Sequence, residues 1–232
     1  MIAPTLSATD GEGSRHRHVD VRIPPLGLPG LLRMPEMAAG LIIFAHGSGS
    51  SRFSPRNNHV ADALGRAGFA TLLFDLLLSD EEADRRNVFD IPVLARRVCH
   101  AIDWAAAASL VTGLPIGLFG ASTGSAAALS AAAERPESVA AIVSRGGRPD
   151  LALAVLDKVE APTLLLVGSR DGEVLRLNQL AYARLRQPKR LQVIAGASHL
   201  FTEPGTLDMV INAATGWFRR FCTRPEDGKG SG

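Results

Sequence analysis

Apolar runs of strand length alternate with helix-length segments along most of this 232-residue chain, and this alternation constrains the fold more than any other feature. Eight runs are candidate strands: VDVRI, LGLPGLLRM, LIIFAHG, FATLLFDLL, PIGLFGA, VAAIVSRGG, PTLLLVGS and RLQVIAG. From Leu41 onward a helical stretch follows each run, which is the pattern that produces right-handed crossovers and a mostly parallel sheet. The sequence therefore predicts an α/β fold with about eight strands and helices on both faces of the sheet.

The first two candidate strands have no helix between them. A short corner containing Pro24 and Pro25 joins them, which predicts an antiparallel start to the sheet. In residues 90–108 the apolar positions recur every three or four residues, as expected of one buried helix face. The segment after Ser122 consists almost entirely of small residues and is predicted to form a helix that ends at Pro136.

The length of the chain fits one domain with a single large core. Residues 1–18 and 222–232 are polar, contain Gly and Ser, and show no periodicity, so we expect flexible tails at both ends. The predicted organisation is an N-terminal tail over 1–18, one domain over 19–221 and a C-terminal tail over 222–232. No internal repeat or low-complexity segment is evident.

Composition excludes several partner classes. Hydrophobic residues make up 46% and charged residues 21% of the chain, and the formal net charge of +2 is too small to indicate nucleic-acid binding. No apolar run approaches the roughly eighteen residues that span a bilayer, and the N-terminal region shows no charged segment followed by an apolar one. We therefore expect a small-molecule substrate and neither membrane insertion nor export.

The two cysteines indicate the compartment. Cys99 falls within the amphipathic helical pattern and Cys222 within the polar C-terminal tail, so we do not expect them to form a disulfide. The expected location is the reducing cytoplasm. Cys99 is interpreted as a buried helix residue rather than a nucleophile.

The pentapeptide Gly120-Ala121-Ser122-Thr123-Gly124 matches the G-x-S-x-G nucleophile elbow, with an apolar strand before it and a small-residue helix after it. Glycines two before and two after the serine let strand and helix turn sharply and approach each other. The alternative is a structural strand-to-helix corner. In its context the motif favours Ser122 as a nucleophile whose hydroxyl is exposed above the sheet.

A serine nucleophile needs a general base and a group that orients the base. Asp171 follows the strand PTLLLVG and His199 follows the last strand, so both are expected at the same edge of the sheet as Ser122. His199 is the candidate base, against the alternative of an ordinary loop histidine. Asp171 is the candidate acid, against the alternative of an Asp-Gly turn residue. Asp150, after the preceding strand, is the substitute for Asp171.

This architecture, with GASTG, GSRDG and GASHLF in that order, resembles the α/β-hydrolase fold and, within it, the dienelactone hydrolase family. The resemblance covers roughly Val19 to Phe221. Dienelactone hydrolase proper is known for a cysteine nucleophile, whereas this chain has Ser122 at that position. The resemblance therefore implies a serine esterase-like relative and does not imply the enol-lactone substrate.

In this fold the oxyanion is bound by the backbone N–H of the residue after the nucleophile, here Thr123, and by a second N–H from the loop after the strand LIIFA. That loop begins His46-Gly47-Ser48-Gly49, and either Gly47 or Ser48 is the second candidate donor. The alternative is a flexible strand-end loop. His46 is expected to pack or hydrogen-bond at the base of the loop.

Arg145 follows a strand at the edge of the sheet that carries the candidate triad, so it could bind a carboxylate on the substrate. The alternative is a surface arginine paired with Asp150 or another acid, and Arg52 and Arg56 are weaker candidates of the same kind. His16 and His18 lie in the predicted tail without further ligands, and we expect no metal. No cofactor is expected either.

Two further features narrow the reaction. Only about twenty residues separate Val143 from Thr163, which leaves room for one helix but not for a lid domain and argues against a lipase. No strand is followed by G-x-G-x-x-G, and no lysine follows a glycine-rich loop, so nucleotide binding is not indicated. The sequence therefore predicts a serine hydrolase that cleaves a small carboxylic ester or lactone through an acyl-enzyme. Thioesterase, peptidase and a catalytically silent binding protein are the alternatives.

Overall fold

The computed structural model describes residues 16–186 and 188–224. This part of the chain forms one eight-stranded sheet with the strand order β1-β2-β4-β3-β5-β6-β7-β8. The strands are β1 (His16–Ile23), β2 (Leu28–Pro35), β3 (Leu41–Ala45), β4 (Ala70–Phe74), β5 (Ile116–Ala121), β6 (Ala141–Arg145), β7 (Thr163–Gly168) and β8 (Lys189–Ile194). All eight predicted strands are confirmed.

The described residues also form six α-helices: α1 (Pro55–Arg66), α2 (Ser79–Glu82), α3 (Ile91–Ala107), α4 (Thr123–Glu134), α5 (Gly172–Arg184) and α6 (Thr206–Phe221). Local signals set the helix starts. Ser54 accepts a hydrogen bond from the N–H of Asn57 at the start of α1, and Asp90 accepts one from the N–H of Val93 at the start of α3. Each of these caps is followed by a proline in the first turn, where a missing N–H costs nothing.

Pairing directions follow the prediction. Strand β1 pairs antiparallel with β2, and β2 pairs antiparallel with β4. The remaining neighbours pair in parallel, from β4 through β3 to β8. Because the carboxyl ends of parallel strands lie at one edge of a sheet, the loops after β3, β5, β6, β7 and β8 meet there.

Two hydrophobic layers cover the sheet. Helices α1 and α6 bury one face with side chains that include Val60, Leu64 and Phe218. Helices α3 and α4 bury the other face, and the alanines of α4 lie close against the strands. Strands β3 to β7 are buried at every position, which explains why their sequences are continuous apolar runs rather than alternating ones.

The connection from β6 to β7 differs from the prediction of one helix. It contains two short 3₁₀ helices, at Pro149–Ala152 and Leu156–Lys158. Gly146 adopts a positive φ of 51°, outside the right-handed helical region, so a regular helix cannot begin directly after the strand, and the first 3₁₀ turn begins at Pro149. The buried side chains Ala152 and Leu156 nevertheless cover the core from this connection. No lid domain is present within the described residues.

The predicted domain boundaries differ slightly from the structure. Strand β1 begins at His16, so residues 16–18 belong to the sheet and not to the predicted tail. Cys222 is fully buried and its N–H donates to the carbonyl of Phe218, so this residue belongs to the domain. The rest of both predicted tails, residues 1–15 and 225–232, lies outside the described residues.

Candidate active site

Ser122 occupies a strained turn between β5 and α4. Its backbone has φ 51° and ψ −123°, a conformation that costs a non-glycine residue on the order of 1–3 kcal/mol. Hydrogen bonds hold it there: its N–H donates to the Arg145 carbonyl at 3.3 Å, and its own carbonyl accepts from the N–H of Arg148 at 3.0 Å. The turn after β6 therefore holds the backbone of the candidate nucleophile in place.

The two glycines that flank Ser122 are required by close backbone contacts. A Cβ on Gly120 would lie 2.5 Å from the Cα of Ser125, in the first turn of α4. A Cβ on Gly124 would overlap the carbonyl oxygens of Ala45 and His46 at the end of β3. Only glycine allows both approaches, so the spacing of the motif follows from the packing of α4 against two neighbouring strand ends.

His199 and Asp171 form a hydrogen-bonded pair at the same edge of the sheet. The Nδ1 of His199 lies 2.6 Å from Oδ2 of Asp171, and the two side chains are 38% and 15% exposed. The Nδ1–H therefore donates to the carboxylate, which leaves Nε2 free to accept a proton. Asp150, the substitute acid, instead forms a two-pronged pair with Arg148 at 2.8 Å.

The loop that carries His199 is held by residues that sequence reasoning did not select. Glu203 accepts a hydrogen bond at 3.0 Å from the N–H of Ser198, and this contact lowers the pKa of the Glu203 carboxyl. Phe201 is buried and adopts a positive φ of 54°, which is unusual for an aromatic residue. A buried aromatic two residues after a histidine is the only sequence signal that could have indicated this anchoring.

Ser122 and His199 approach the same turn from two sides. A Cβ on Gly146 would lie 3.1 Å from the His199 carbonyl oxygen and 3.6 Å from its ring Cε1. Within residues 16–186 and 188–224, the Ser122 hydroxyl makes no hydrogen bond, so a direct bond between Ser122 and His199 is not formed in this conformation. Catalytic hydrogen bonds are often long without substrate and tighten when it binds.

The loop after β3 lies directly against Ser122. A Cβ on Gly47 would lie 2.9 Å from the Cβ of Ser122 and 3.6 Å from its Oγ. The N–H of Ser48 donates to the Thr123 hydroxyl at 3.0 Å, which links the loop to the first residue of α4. The first N–H groups of a helix have no partner within the helix, so the N–H of Thr123 at the start of α4 is available as a donor near this loop.

His46 helps to fix the direction of the Ser48 N–H. Its Nε2 accepts from the N–H of Leu76 at 3.1 Å, so the proton is on Nδ1, which donates to the Gly47 carbonyl at 3.0 Å. The C=O of Gly47 and the N–H of Ser48 belong to one trans peptide and point in opposite directions. The N–H of Ser50 also donates to this carbonyl, at 3.2 Å, and the two bonds together direct the Ser48 N–H toward Thr123. Desolvation lowers the pKa of His46, which favours the neutral ring that this arrangement needs.

A shallow cleft opens beside this loop. Its lining combines the loop and Thr123 with apolar side chains from the segment after β4: Leu76, Leu77, Val88 and Leu94. Glu82 also contributes to the lining. The cleft therefore presents a mainly apolar wall beside Thr123, at the start of α4.

Arg145 does not fit the alternative of a surface arginine paired with Asp150. Its side chain is buried, with 8% exposure, and its Nη2 donates to Oδ1 of Asn57 at 3.2 Å. Arg52, a weaker candidate of the same kind in the loop after β3, is paired with Asp75.

The structure places the cysteines, the possible metal ligands and the possible membrane spans as follows. Cys99 and Cys222 are both free and buried, and burial raises the pKa of each thiol to about 12. In the described part of the chain, no group of three or more His, Cys, Asp or Glu side chains is placed to hold a metal ion. No helix there combines the length and the apolar character needed to cross a membrane.

Comparison with known proteins identifies the family. The family model for an alpha/beta hydrolase domain matches residues 38–214, which is more than half of the chain. The chain belongs to the α/β-hydrolase family. This membership confirms the fold predicted from the strand order and from the three motifs.

Among solved structures, this α/β-hydrolase is similar to a dienelactone hydrolase from Anabaena variabilis ATCC 29413, with 49% identity and a TM-score of 0.87 over 91% of this chain and 100% of that one. Est1E from Butyrivibrio proteoclasticus shares the fold at 17% identity, with a TM-score of 0.74 over 88% of this chain and 98% of that one. The predicted resemblance to dienelactone hydrolases is therefore confirmed.

Two relatives from Mycobacterium tuberculosis strains are 53% identical to this α/β-hydrolase over 204 residues and are provisionally named phosphoribosyl transferases. The match covers 88% of this chain but 46% of each relative. The chain thus spans about half the length of these relatives.

Proposed function

We propose that this α/β-hydrolase cleaves a small carboxylic ester or lactone through an acyl-enzyme formed on Ser122. The observation that carries the proposal is the hydrogen-bonded pair of Asp171 and His199, at the edge of the sheet where Ser122 is held at positive φ. A serine held in a strained turn, with an imidazole oriented by a partly buried carboxylate at the same edge of the sheet, is the arrangement expected of an activated nucleophile.

The reaction follows from the atoms available. As Oγ of Ser122 attacks the carbonyl carbon, its proton passes to Nε2 of His199, and Asp171 stabilises the imidazolium through Nδ1–H. The imidazolium then returns the proton to the leaving alcohol, which departs as the acyl-enzyme forms. A water molecule, deprotonated by the same nitrogen, releases the carboxylic acid and restores Ser122.

Two backbone N–H groups would bind the oxyanion in both steps. We assign the first to Thr123, at the positive end of α4, and favour Ser48 over Gly47 for the second, because the hydrogen bonds accepted by the Gly47 carbonyl direct the Ser48 N–H toward Thr123. The Thr123 hydroxyl occupies that donor in the present conformation, and the substrate oxygen would replace it. Each such donor is worth on the order of 3 kcal/mol in the transition state of comparable sites.

The apolar lining of the cleft beside Thr123 and the lack of a lid domain within the described residues support a small acyl or alcohol group rather than a long lipid chain. A thioester or a peptide would use the same nucleophile and base, so both remain alternatives to an ester. Phosphoribosyl transfer is not part of the proposal, because that name describes relatives of which this chain covers 46%. We also place the protein in the cytoplasm, since both of its cysteines are free and buried.

The test is reaction with a small fluorophosphonate, followed by intact-mass analysis and peptide mapping. We expect one adduct on Ser122 in the parent, none in Ser122→Ala, and much slower labelling in His199→Ala. Ser130→Ala, which makes the same change further along α4, is the matched control and should label like the parent. No adduct on folded parent protein would instead indicate a catalytically silent binding protein.

A further inference from the structure

Arg145 ends β6 beside the nucleophile. Its backbone pairs in register with Ala121, the residue before Ser122, and its carbonyl accepts the Ser122 N–H. Val143, two residues earlier on the same strand face, packs in the layer formed by α1 and α6. The Arg145 side chain therefore runs between the sheet and the first turn of α1, within one side-chain length of the elbow.

The guanidinium of Arg145 is buried but only partly satisfied. Asn57 accepts one hydrogen bond from Nη2, whereas Nε and Nη1 are buried without a partner. Among the described residues no carboxylate lies within ion-pair distance of this group. Desolvation is the main cause that lowers the pKa of Arg145, to about 10, so the side chain remains cationic at neutral pH. A buried charge without a counter-ion is strongly unfavourable, so this site favours the binding of an anion.

A second guanidinium lies near the first. Arg56 immediately precedes Asn57, the hydrogen-bond partner of Arg145, in the first turn of α1, and its positive charge also contributes to the lowered pKa of Arg145. Its Nε is also buried without a partner. The first turn of α1 contains no acidic residue, and a helix N-terminus itself attracts anions and repels cations. Arg145, Arg56 and the N-terminus of α1 therefore all contribute positive potential at the start of α1.

Other arginines at this edge of the sheet have carboxylate partners within the described residues, in contrast to Arg145 and Arg56. Arg52 is bonded to Asp75 and Arg148 to Asp150, both at the same edge of the sheet. The chain therefore supplies carboxylates to the arginines on either side, but Arg145 has only the neutral amide of Asn57.

We propose that Arg145 and Arg56 bind a doubly charged oxyanion of the phosphate monoester class that is carried by the ester substrate. The proposal rests on the proposed function, because the group must lie on the molecule whose carbonyl Ser122 attacks. Two guanidiniums carry a charge of +2, which a dianionic phosphate balances, whereas one carboxylate would leave a buried charge uncompensated. The planar forks of the arginines also suit the bidentate bonds that phosphate oxygens accept.

The kinetic test compares three nitrophenyl esters of similar length: a neutral butyrate, a glutarate with a terminal carboxylate, and a 4-phosphonobutyrate. We expect kcat/KM to be highest for the phosphonate ester. Arg56→Met and Arg145→Lys should lower the ratio of phosphonate to neutral kcat/KM by roughly 10- to 100-fold, the range for a lost hydrogen bond to a charged group. Arg66→Met, at the other end of α1, makes the same charge change and should leave that ratio unaltered.

A binding test without catalysis uses inorganic phosphate and thermal unfolding of Ser122→Ala. Phosphate should raise the Tm of this variant, and adding Arg56→Met should abolish the rise. A phosphate-induced rise without any preference for the phosphonate ester would overturn the claim that the substrate carries the group. Absence of both effects would overturn the site itself. If the parent hydrolyses none of the esters, the proposed function fails, while the Tm series still reports on anion binding at Arg145 and Arg56.

Discussion

At the scale of single residues, the site depends on side chains that hold other groups in position. Asp171 orients His199, and His46 orients the peptide between Gly47 and Ser48. Neither residue would contact the reacting carbonyl in the proposed mechanism. Substituting them therefore tests orientation, which differs from removing the nucleophile.

Asp171→Asn should reduce kcat for a small ester by about 10⁴-fold, because an amide acceptor no longer stabilises the imidazolium or holds the required tautomer. Asp150→Asn is the matched control, since Asp150 was the substitute acid and is bonded to Arg148. Steady-state kinetics on both variants decide the assignment. A larger loss in Asp150→Asn than in Asp171→Asn would transfer the acid role to Asp150.

His46 should make the fold sensitive to mild acid. Because its pKa is lowered in the folded protein, the unfolded chain binds a proton first as the pH falls through about 6.5, the ordinary value for histidine. The contribution of His46 to stability is therefore complete above that pH and is lost below it. His46→Asn, which cannot titrate, should show a smaller fall in Tm between pH 8 and pH 5 than the parent. An identical fall in both proteins would contradict this linkage.

At the scale of elements, the unit formed by β5, the turn at Ser122 and α4 depends on distances between backbones. Strain at Ser122 persists because α4 is held against β3 and β5 by glycines that bring the backbones into contact. The small side chains of α4 extend this close approach along the helix. A helix with larger residues on that side would move the elbow away from the loop that carries Gly47.

Gly124→Ala should destabilise the fold and reduce activity together, because the added methyl overlaps the carbonyl oxygens of Ala45 and His46. Gly216→Ala is the matched control. Gly216 lies within α6, where an added methyl would meet open space, so this change should stabilise the protein by about 0.5–1 kcal/mol. Urea unfolding and ester hydrolysis measured on both variants test the contrast. A Gly124→Ala variant as stable as the parent would show that the helix can shift freely.

At the scale of the whole molecule, one edge of the sheet collects the functional groups while the core below it is continuous from β1 to β8. The loops after β3, β5, β7 and β8 carry the candidate oxyanion donors, nucleophile, acid and base, and Arg145 is the last residue of β6. Four of these strands, β3, β5, β6 and β7, are buried on both faces, whereas β8, the edge strand before His199, is only partly buried. We predict that the domain unfolds as one cooperative unit.

The two cysteines report on that cooperativity. Cys99 lies in α3 and Cys222 just after α6, on opposite faces of the sheet, and burial raises the pKa of both thiols. In native protein at pH 8 neither thiol should react with a disulfide reagent at an appreciable rate, and both should react at the same rate when urea is added. Faster reaction of Cys222 alone would indicate local opening of the C-terminal segment instead of global unfolding.

Local patterns in the sequence were sufficient to predict the strands, their antiparallel start and the order of Ser122, Asp171 and His199. They suffice because hydrophobic periodicity and the placement of Gly and Pro act over a few residues and specify where elements begin and end. Parallel strands then place all three residues at one edge, whatever the details of packing. The fold class and the candidate site could therefore be predicted without coordinates.

Only the tertiary structure decided which residue Arg145 contacts, whether Cys222 is buried, and how the chain continues after β6. Arg145 is bonded to Asn57, 88 residues away in the sequence, and not to Asp150, which was the nearby alternative. Cys222 is buried, and the chain after β6 forms 3₁₀ turns where a helix was expected. Each outcome depends on which distant side chains share a desolvated space. The free energy of desolvation and pairing that decides each outcome arises only when the elements pack, and no local sequence pattern encodes it.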